Sequence, residues 1–501
     1  MIFTPITQLK NKIARNFFIE QINVYIRLVE VYCEKQGIEY TANNEKYDIE
    51  EFIRIGVVSD EKEIPELKKL LGDKYKAFVK AVNFASKHEK DMNGLLDKLS
   101  NAKRKEIQKK ASQEHHLTLV DFFCGAGGLS LGFLQSGFNV KLANDIEDVC
   151  IQTYKYNHPE LPSNKLIQGD IKEIVDHIED YIEENIDIVV GGPPCQGFSE
   201  ANRQRVIDDP RNKLYKYFVQ AVEKICPKFV VMENVKGMLK VADQVVEDYE
   251  SLRIKRKGKV YYYKAAYQII NSENFSVAQS RERLIYIAVR NDVMYDKEVT
   301  PDEIFDQITR KCSNHKTFVL KDALDEIKQL DAPRIKNMNE VDSETTGKKI
   351  DINIYKNNEY LSLINMDRKI SFTYNHKARY VSDVNYEIYR RLNPGDDATD
   401  EKIADIMPYA HRNHCFKDKY YKLYANRPCR TITAHLRMDC HSHIHPSQIR
   451  ALTPREAARV QSFPDDYLFW GAYLKTYMQI GNAVPPLMAR GIAEIIKRYL
   501  E

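Results

Sequence analysis

The stretch LTLVDFFCGAGGLSLGF, residues 117–133, has the pattern of an apolar strand, a glycine-rich loop and the start of a helix. Gly125, Gly127 and Gly128 lack side chains at the turn, so the backbone can pass close to a ligand there. The spacing is GxGG rather than GxGxxG, which counts against a dinucleotide site and against hydride transfer. The stretch therefore predicts a strand-loop-helix unit with a ligand at the carboxyl end of its strand.

Short apolar runs alternate with helical stretches after residue 117. The runs are LTLVDFF, VKLAND, KLIQGD, IDIVVGG, KFVVMEN and RLIYIAV. Strands that alternate with helices predict βαβ units in a parallel sheet, and such sheets place their chemistry at the carboxyl ends of the strands. We therefore predict an α/β fold.

Three other segments differ in composition and hydrophobic periodicity from this sheet unit, which spans residues 116–295. Residues 1–115 carry apolar residues at helical spacing and predict an α-helical N-terminal extension. Its basic run KRKEIQKK, residues 103–110, is typical of a solvated helix or linker, with DNA contact as the alternative. Residues 296–430 are polar and Tyr-rich and indicate a separate lobe, whereas residues 431–501 return to helix and turn signals and complete the sheet unit.

A Pro-Pro-Cys turn stands in GGPPCQGFS, residues 191–199, directly after the apolar run 186–190. Two prolines fix the backbone without needing amide donors, so Cys195 projects from the end of the strand at a set angle. Cys195 is therefore a candidate nucleophile. The alternative is that it packs as a small buried hydrophobe, as most of the nine cysteines should.

Charged residues mark the ends of two further runs. Glu233 ends the run FVVMENV, and Arg281 and Arg283 stand in QSRER just before the run 284–289. We expect the carboxylate, the thiol of Cys195 and the two guanidiniums to meet at one sheet edge. The alternative for either arginine is a surface ion pair that contributes little.

Two aspartates follow the second and third runs. Asp145 in NDIED is placed to accept hydrogen bonds from ribose hydroxyls, and Asp170 in QGDI could bind an adenine amino group. Either aspartate could instead cap the following helix, and both roles are compatible.

The composition of the chain limits the classes of protein and the kinds of site that remain possible. A formal net charge of +3 over 501 residues is too near neutral to identify a nucleic-acid binder, so any basic surface must be local. The cysteines form no CxxC pair, which argues against a disulfide framework or a four-cysteine zinc site and favours a reducing cytoplasm. The sequence shows neither a signal peptide nor a membrane-spanning run, so we expect no membrane association.

Histidines and cysteines also cluster in the last quarter of the chain, in spacings that fit no zinc pattern, so we predict no metal. They are His411, His414, Cys415, Cys440, His441, His443 and His445.

Eight elements in order resemble the bacterial DNA (cytosine-5)-methyltransferases of restriction-modification systems, from Leu119 to about Ile496. They are DFFCGAGG, ND, GDI, GGPPCQGFS, MENV, QSRER, RALTPREAARVQSFPDDY and QIGNAVPP. The resemblance implies a Rossmann-like mixed sheet with helices on both faces. It makes residues 116–295 the catalytic and cofactor-binding domain, 296–430 a target-recognition domain and 431–501 the return segment, and it leaves residues 1–115 outside.

The resemblance also implies S-adenosyl-L-methionine as cofactor. Its pocket would comprise Phe123, Gly125, Gly127, Asp145, Ile146, Asp170, Ile171, Pro193 and Asn482. Cys195 would add to C6 of a flipped cytosine, Glu233 would act at N3 and N4, Arg283 would contact O2, and Arg281 would support Glu233 or the loop. Ser199, Arg203 and Arg205 would bind DNA from the loop after the nucleophile.

The partner implied is double-stranded DNA, with the enzyme acting as a monomer in the bacterial cytoplasm, nucleoid-associated through DNA. A cognate restriction endonuclease would be linked in function and not necessarily bound. Two alternatives stay open: a tRNA methyltransferase of the same architecture, disfavoured because the chain lacks CFT and has a large lobe, and a silent DNA-binding regulator, disfavoured because Cys195 and Glu233 are both present.

Overall fold

Seven strands form the central sheet of the computed structural model, which describes residues 3–40, 46–88, 90, 92, 94–99, 101–114, 116–182, 185–194, 214–337, 341–354, 356, 358–408 and 419–501. The described residues form eleven strands, of which β6–β7 and β10–β11 are separate two-stranded sheets: β1 (Leu117–Phe122), β2 (Phe138–Asp145), β3 (Leu166–Gln168), β4 (Ile188–Gly191), β5 (Phe229–Val235), β6 (Ile254–Arg256), β7 (Lys259–Tyr261), β8 (Tyr263–Asn271), β9 (Glu282–Arg290), β10 (Gly347–Ile352) and β11 (Phe372–Lys377). The order across the sheet is β3-β2-β1-β4-β5-β9-β8. Strands β1 to β5 run parallel, and β9 lies antiparallel to both β5 and β8. This mixed, mainly parallel sheet confirms the predicted α/β fold.

Helices cover both faces of the sheet, because successive strand residues point to opposite sides. The helices are α1 (Lys12–Gln36), α2 (Ile49–Ile55), α3 (Ile64–Leu71), α4 (Lys74–Lys87), α5 (Asn101–Glu114), α6 (Gly128–Gln135), α7 (Asp148–Asn157), α8 (Ile171–Asp176), α9 (Leu214–Ile225), α10 (Ala242–Glu250), α11 (Asn291–Lys297), α12 (Pro301–Cys312), α13 (Leu320–Leu324), α14 (Glu359–Ile364), α15 (Asp383–Arg391), α16 (Pro454–Val460), α17 (Tyr473–Asn482) and α18 (Pro486–Leu500). Leu119 and Val190 pack with α6, α12 and α18, whereas Val120 and Val189 pack with α8, α9 and α10. Among the helices described, none is long and apolar enough to cross a membrane.

The N-terminal extension packs against the rest of the chain through aromatic side chains. Trp470 is fully buried, and its ring lies edge-on to Phe17 of α1 at 5.2 Å and to Tyr156 of α7 at 5.5 Å. The hydroxyls of Tyr156 and Tyr374 lie 2.7 Å apart, which ties α7 to β11. The extension thus shares one hydrophobic cluster with the sheet domain and with the β10–β11 hairpin.

Residues 296–430 distribute their apolar side chains over several clusters. Those of α12, α13 and α14 join the core on one face of the sheet. Ile350 and Tyr374 of the β10–β11 hairpin join the extension. A smaller cluster forms around α15, with Ile388, Tyr389 and Leu392. The hydrophobic core therefore does not divide at residue 296, and the role of this segment in recognition stays a prediction.

The contact between α6 and α18 is closest at Gly132. A Cβ atom at this position would lie 2.4 Å from the Cβ of Ala489 and 2.5 Å from the carbonyl oxygen of Pro486. Both neighbours are rigid, so a larger residue can be accommodated only if the two helices separate.

We expect Gly132→Ala to lower the free energy of unfolding by about 1–3 kcal/mol, because overpacking strains a filled core. Chemical unfolding followed by circular dichroism measures this. Gly169→Ala is the control, since a Cβ there would meet no atom within 4 Å. Equal stability of the two variants would contradict the close packing.

Candidate active site

The parallel strands β4 and β5 end side by side at the edge where the candidate catalytic residues lie. Gly191 of β4 is in register with Met232 of β5, and Val235 is in register with Arg283 of β9. A Cβ atom on Gly192 would lie 3.2 Å from Oε2 of Glu233. The chain after β4 therefore passes directly beside the Glu233 carboxylate.

Glu233 and Arg283 form a buried ion pair, with Arg283 Nε 2.8 Å from Glu233 Oε1. Burial lowers the pKa of Arg283, and the charge of Glu233 opposes that shift. The pair brings together two of the residues that the sequence predicted at this edge. A carboxylate and a guanidinium held in this way can bind the polar edge of a flat heterocycle.

Asn234 fixes the turn that follows β4. Its Nδ2 donates to the carbonyl oxygen of Pro193 at 2.9 Å, and its Oδ1 accepts from the backbone N–H of Val235 at 2.9 Å. Pro193 is buried and Pro194 is exposed. Cys195, Ser199, Arg203 and Arg205 lie outside the described residues.

Arg281 has partners other than those expected from the sequence. Its guanidinium is 1% exposed and donates to the carbonyl oxygens of Ile432, Gly481 and Ala483 at 2.7, 3.0 and 3.1 Å. Burial lowers the pKa of Arg281. The hydrogen-bonded support of Glu233 comes from Arg283 instead, while Arg281 ties the start of β9 to the return segment.

The glycine-rich loop leaves open space at the carboxyl end of β1. Gly125 has a positive φ of 52°, and a Cβ there would meet no atom within 4 Å. Its N–H donates to Oδ2 of Asp145 at 2.8 Å, and Oδ1 of Asp145 accepts from the N–H of Glu147. Burial raises the pKa of Asp145, and these backbone donors oppose the shift. Phe123, half-buried with a φ of 56°, turns the chain into the loop.

The other predicted cofactor residues lie along the ends of β2 and β3 and in the return segment. Ile146 is 65% exposed directly after β2, which is unusual for an isoleucine beside a glycine loop. Asp170 is exposed and caps α8 by accepting from the N–H of Lys172 at 2.9 Å, while Ile171 is buried. Asn482 is exposed at the end of α17, between the two carbonyls that Arg281 binds.

These residues fit a cofactor that carries a nucleoside. The open space at Gly125 admits a ligand against bare backbone, Asp145 offers carboxylate oxygens for hydroxyls, and Ile146 offers an exposed apolar face for a base. Gly128 lies against the turn after Asn482, since a Cβ on it would be 2.3 Å from the carbonyl oxygen of Val484. The return segment thus borders the same space.

Two residues that support the loop were missed from the sequence. Tyr467 donates its hydroxyl to the carbonyl oxygen of Ala126, and His158 Nε2 lies 3.1 Å from the same hydroxyl. A Cβ on Gly127 would lie 2.5 Å from His158 Nε2, so this glycine is required by packing as well as by its φ of 87°. Tyr467 belongs to the PDDY motif of the sequence. Its contact partner Ala126 could not be predicted, because the two residues are 341 positions apart in the sequence.

The described histidines and cysteines of the last quarter make other contacts. His441 Nδ1 lies 2.7 Å from the Tyr389 hydroxyl, and His445 Nδ1 accepts from the N–H groups of Ser447 and Gln448. Cys440 Sγ donates to the carbonyl oxygen of Leu436. Within the described part of the chain no three such residues could hold a metal ion, and His411, His414 and Cys415 lie outside it.

Comparison with known proteins agrees with this geometry. The family model of the C-5 cytosine-specific DNA methylases matches residues 117–498. The chain is 31% identical over 410 residues to the type II methyltransferase M.DdeI of Desulfomicrobium norvegicum, covering 77% of this chain and 89% of that protein. It is 31% identical over 392 residues to the type II methyltransferase M1.HphI of Haemophilus parahaemolyticus, covering 76% and 86%.

A solved structure is also similar. It is described as a DNA modification methyltransferase encoded within a prophage of E. coli, and it aligns with a TM-score of 0.57 and 26% identity over 77% of this chain and 99% of that one. Together with the family match, this confirms the resemblance predicted from the eight sequence elements. The chain belongs to the C-5 cytosine-specific DNA methylase family and is a DNA (cytosine-5)-methyltransferase.

Proposed function

We propose that this enzyme methylates C5 of a cytosine within duplex DNA, with Cys195 as nucleophile and S-adenosyl-L-methionine as methyl donor. The observation that carries the proposal is the Glu233–Arg283 ion pair beside the Pro-Pro-Cys turn. Gly192, beside Glu233, precedes Cys195 by three residues. We therefore assign the thiol of Cys195 to the ring whose polar edge the ion pair would hold, on the ground of this short separation in sequence.

Cytosine C5 is too weak a nucleophile to accept a methyl group unaided, so the ring is first activated at C6. The thiolate of Cys195 forms a bond to C6, and the electron pair of the C5–C6 double bond moves toward C5 and N3. A free thiol has a pKa of about 8.5 and is only a few per cent ionised near neutral pH. Positive charge at this edge, including Arg283, favours the thiolate.

Glu233 and Arg283 bind the polar edge of the base. An ion-paired carboxylate accepts hydrogen bonds, so Glu233 receives the amino group at C4. When Cys195 adds to the ring, negative charge grows at N3. Glu233 must take up a proton from solvent at least transiently, and its O–H then donates to N3 and stabilises that charge. Arg283 donates to O2. C5 then takes the methyl group, a water accepts the C5 proton, and Cys195 leaves as the thiolate to give 5-methylcytosine.

S-adenosyl-L-methionine supplies an electrophilic methyl group when it is bound. Asp145 would bind its ribose hydroxyls and Ile146 would pack on its adenine. Asp170 would bind the adenine amino group. Asn482 would complete the pocket from the return segment, and the pocket would be lined by Phe123, Gly125, Gly127, Ile171 and Pro193. The bare backbone at Gly125 supports this placement.

A base within a duplex is out of reach, so the target cytosine must be flipped out at a cost of a few kcal/mol. Ser199, Arg203 and Arg205 would contact DNA from the loop after Cys195, and residues 296–430 would supply most base contacts. The biological role that fits the type II relatives is modification in a bacterial restriction-modification system. The enzyme would act as a monomer in the cytoplasm, linked in function to a cognate endonuclease.

Transfer of labelled methyl groups from S-adenosyl-L-methionine to unmethylated plasmid DNA tests the proposal directly. We expect methylation at one short recurring cytosine context, mapped by bisulfite sequencing, and none with Cys195→Ala. Transfer to tRNA in place of DNA would favour the RNA-methylating alternative. DNA binding without any transfer by folded, cofactor-bound enzyme would favour the silent regulator.

We expect Glu233→Gln to lower the single-turnover rate about 10²–10⁴-fold, because it removes the carboxyl that shares a proton with N3. Glu282→Gln is the matched control, since Glu282 lies on the neighbouring strand β9 and forms a half-exposed ion pair with Lys236. The control should keep its rate within about twofold, as an exposed pair contributes little. Equal losses in the two variants would contradict the role of Glu233.

We expect Ile146→Ala to weaken S-adenosyl-L-methionine binding about tenfold, because burying an aliphatic side chain against a ligand contributes about 1.5–3 kcal/mol at most. Titration calorimetry without DNA measures this. Ile146 is 65% exposed, so its truncation should leave the unfolding temperature unchanged. Ile335→Ala, at a residue 69% exposed elsewhere, is the control, and unchanged affinity in Ile146→Ala would contradict the proposed pocket.

A further inference from the structure

A two-stranded hairpin made of β6 and β7 forms a small sheet separate from the central one. Its turn is Lys257-Gly258, with φ values of 50° and 79°. Two consecutive left-handed residues match the twist of the flanking strands and give a tight hairpin. The side chains near the turn are therefore displayed by a fixed backbone.

The hairpin concentrates positive charge. Residues 253–264, RIKRKGKVYYYK, carry six cations and no acidic residue, although the whole chain has a net charge of only +3. Lys255, Lys257 and Lys259 are exposed, and within the described part of the chain their side chains form no hydrogen bond or ion pair. Arg256 lies directly opposite Lys259, and like charges in this arrangement destabilise a hairpin. A charge pattern that costs stability indicates a binding role.

The hairpin is anchored to the sheet domain by its arginines and Ile254, while the side chains of its lysines stay free. Arg256 donates to the carbonyl oxygens of Lys224 and Ile225 at the end of α9. Arg253 lies over the ring of Tyr262 at 5.5 Å, and Ile254 is buried. The hairpin therefore does not need to become ordered when it binds a ligand.

The hairpin lies at the edge of the sheet opposite the candidate active site. The hairpin leads directly into β8, whose first residue, Tyr263, pairs with Arg290 at the end of β9. Arg283, at the start of β9, binds Glu233. Seven residues of extended strand separate Arg283 from Arg290, which is about 23 Å. The hairpin is thus too far away to contact the flipped base or its immediate neighbours.

We propose that this basic hairpin binds the phosphate backbone of duplex DNA outside the segment that contains the target cytosine. Lysines on a fixed ribbon neutralise phosphates without reading base edges, so the contact adds affinity and no sequence preference. It holds the enzyme on long DNA, through a bent duplex or a second duplex segment. The inference rests on duplex DNA being the substrate.

The test combines Lys255→Gln, Lys257→Gln and Lys259→Gln in one variant of the full chain. We expect the slope of log affinity against log salt for a long duplex to become shallower by about 2–3, since each phosphate contact contributes about 0.9. The apparent KM for plasmid should rise, whereas kcat and KM for a short duplex that covers only the target site should not change. None of the three lysines belongs to the catalytic or cofactor site.

The charge-matched control combines Lys35→Gln, Lys62→Gln and Lys69→Gln in the N-terminal extension, whose lysines are also exposed and lie outside the basic run 103–110. An equal effect of both triple variants would overturn the proposal, because the overall charge would then be responsible. An unchanged salt slope, or a loss of binding only to RNA or to an acidic protein, would overturn it as well. Failure of the wild type to methylate both the plasmid and the short duplex would instead refute duplex DNA as the substrate.

Discussion

The buried guanidinium of Arg281 is the constraint on which the site depends. A charge removed from water must find acceptors, and the three carbonyl oxygens that Arg281 binds belong to segments 151 to 202 residues further along the chain. These bonds hold Ile432 and the Gly481–Ala483 turn against the start of β9. Two residues later, Arg283 binds Glu233. One buried cation therefore sets the position of Asn482 and of the Glu233–Arg283 ion pair relative to each other.

The arrangement of Glu233 and Arg283 was accessible from the sequence because it follows from local patterns. Each residue lies at one end of an apolar run, and strand pairing brings such ends to one edge whatever the loops between them do. The same holds for Gly125, which follows strand β1, and for Asp145, which is the last residue of the neighbouring parallel strand β2. Periodicity and turn chemistry are short-range signals, so they predict the sheet and its functional edge well.

Contacts between distant segments could not be predicted in this way. The sequence placed Arg281 beside Glu233, but its hydrogen-bond partners depend on how the return segment folds back. Residues 296–430 looked like a separate lobe because their periods are irregular, yet α12 and α14 complete the core on one face of the sheet. The basic hairpin was missed although RIKRKGK contains its signal, since an average near neutrality conceals a local cluster of charge.

The extension, which lies outside the family match, is linked to the glycine-rich loop through the segment after α16. Lys98 binds the carboxylate and the carbonyl of Asp466, and the next residue, Tyr467, donates its hydroxyl to Ala126 in the glycine-rich loop. Removing the extension would expose Trp470, a fully buried side chain, to water. Burial of an aromatic side chain contributes several kcal/mol, a large part of the net stability of a domain. The extension is therefore a structural part of the same body as the sheet, and the geometry of the glycine-rich loop depends on it.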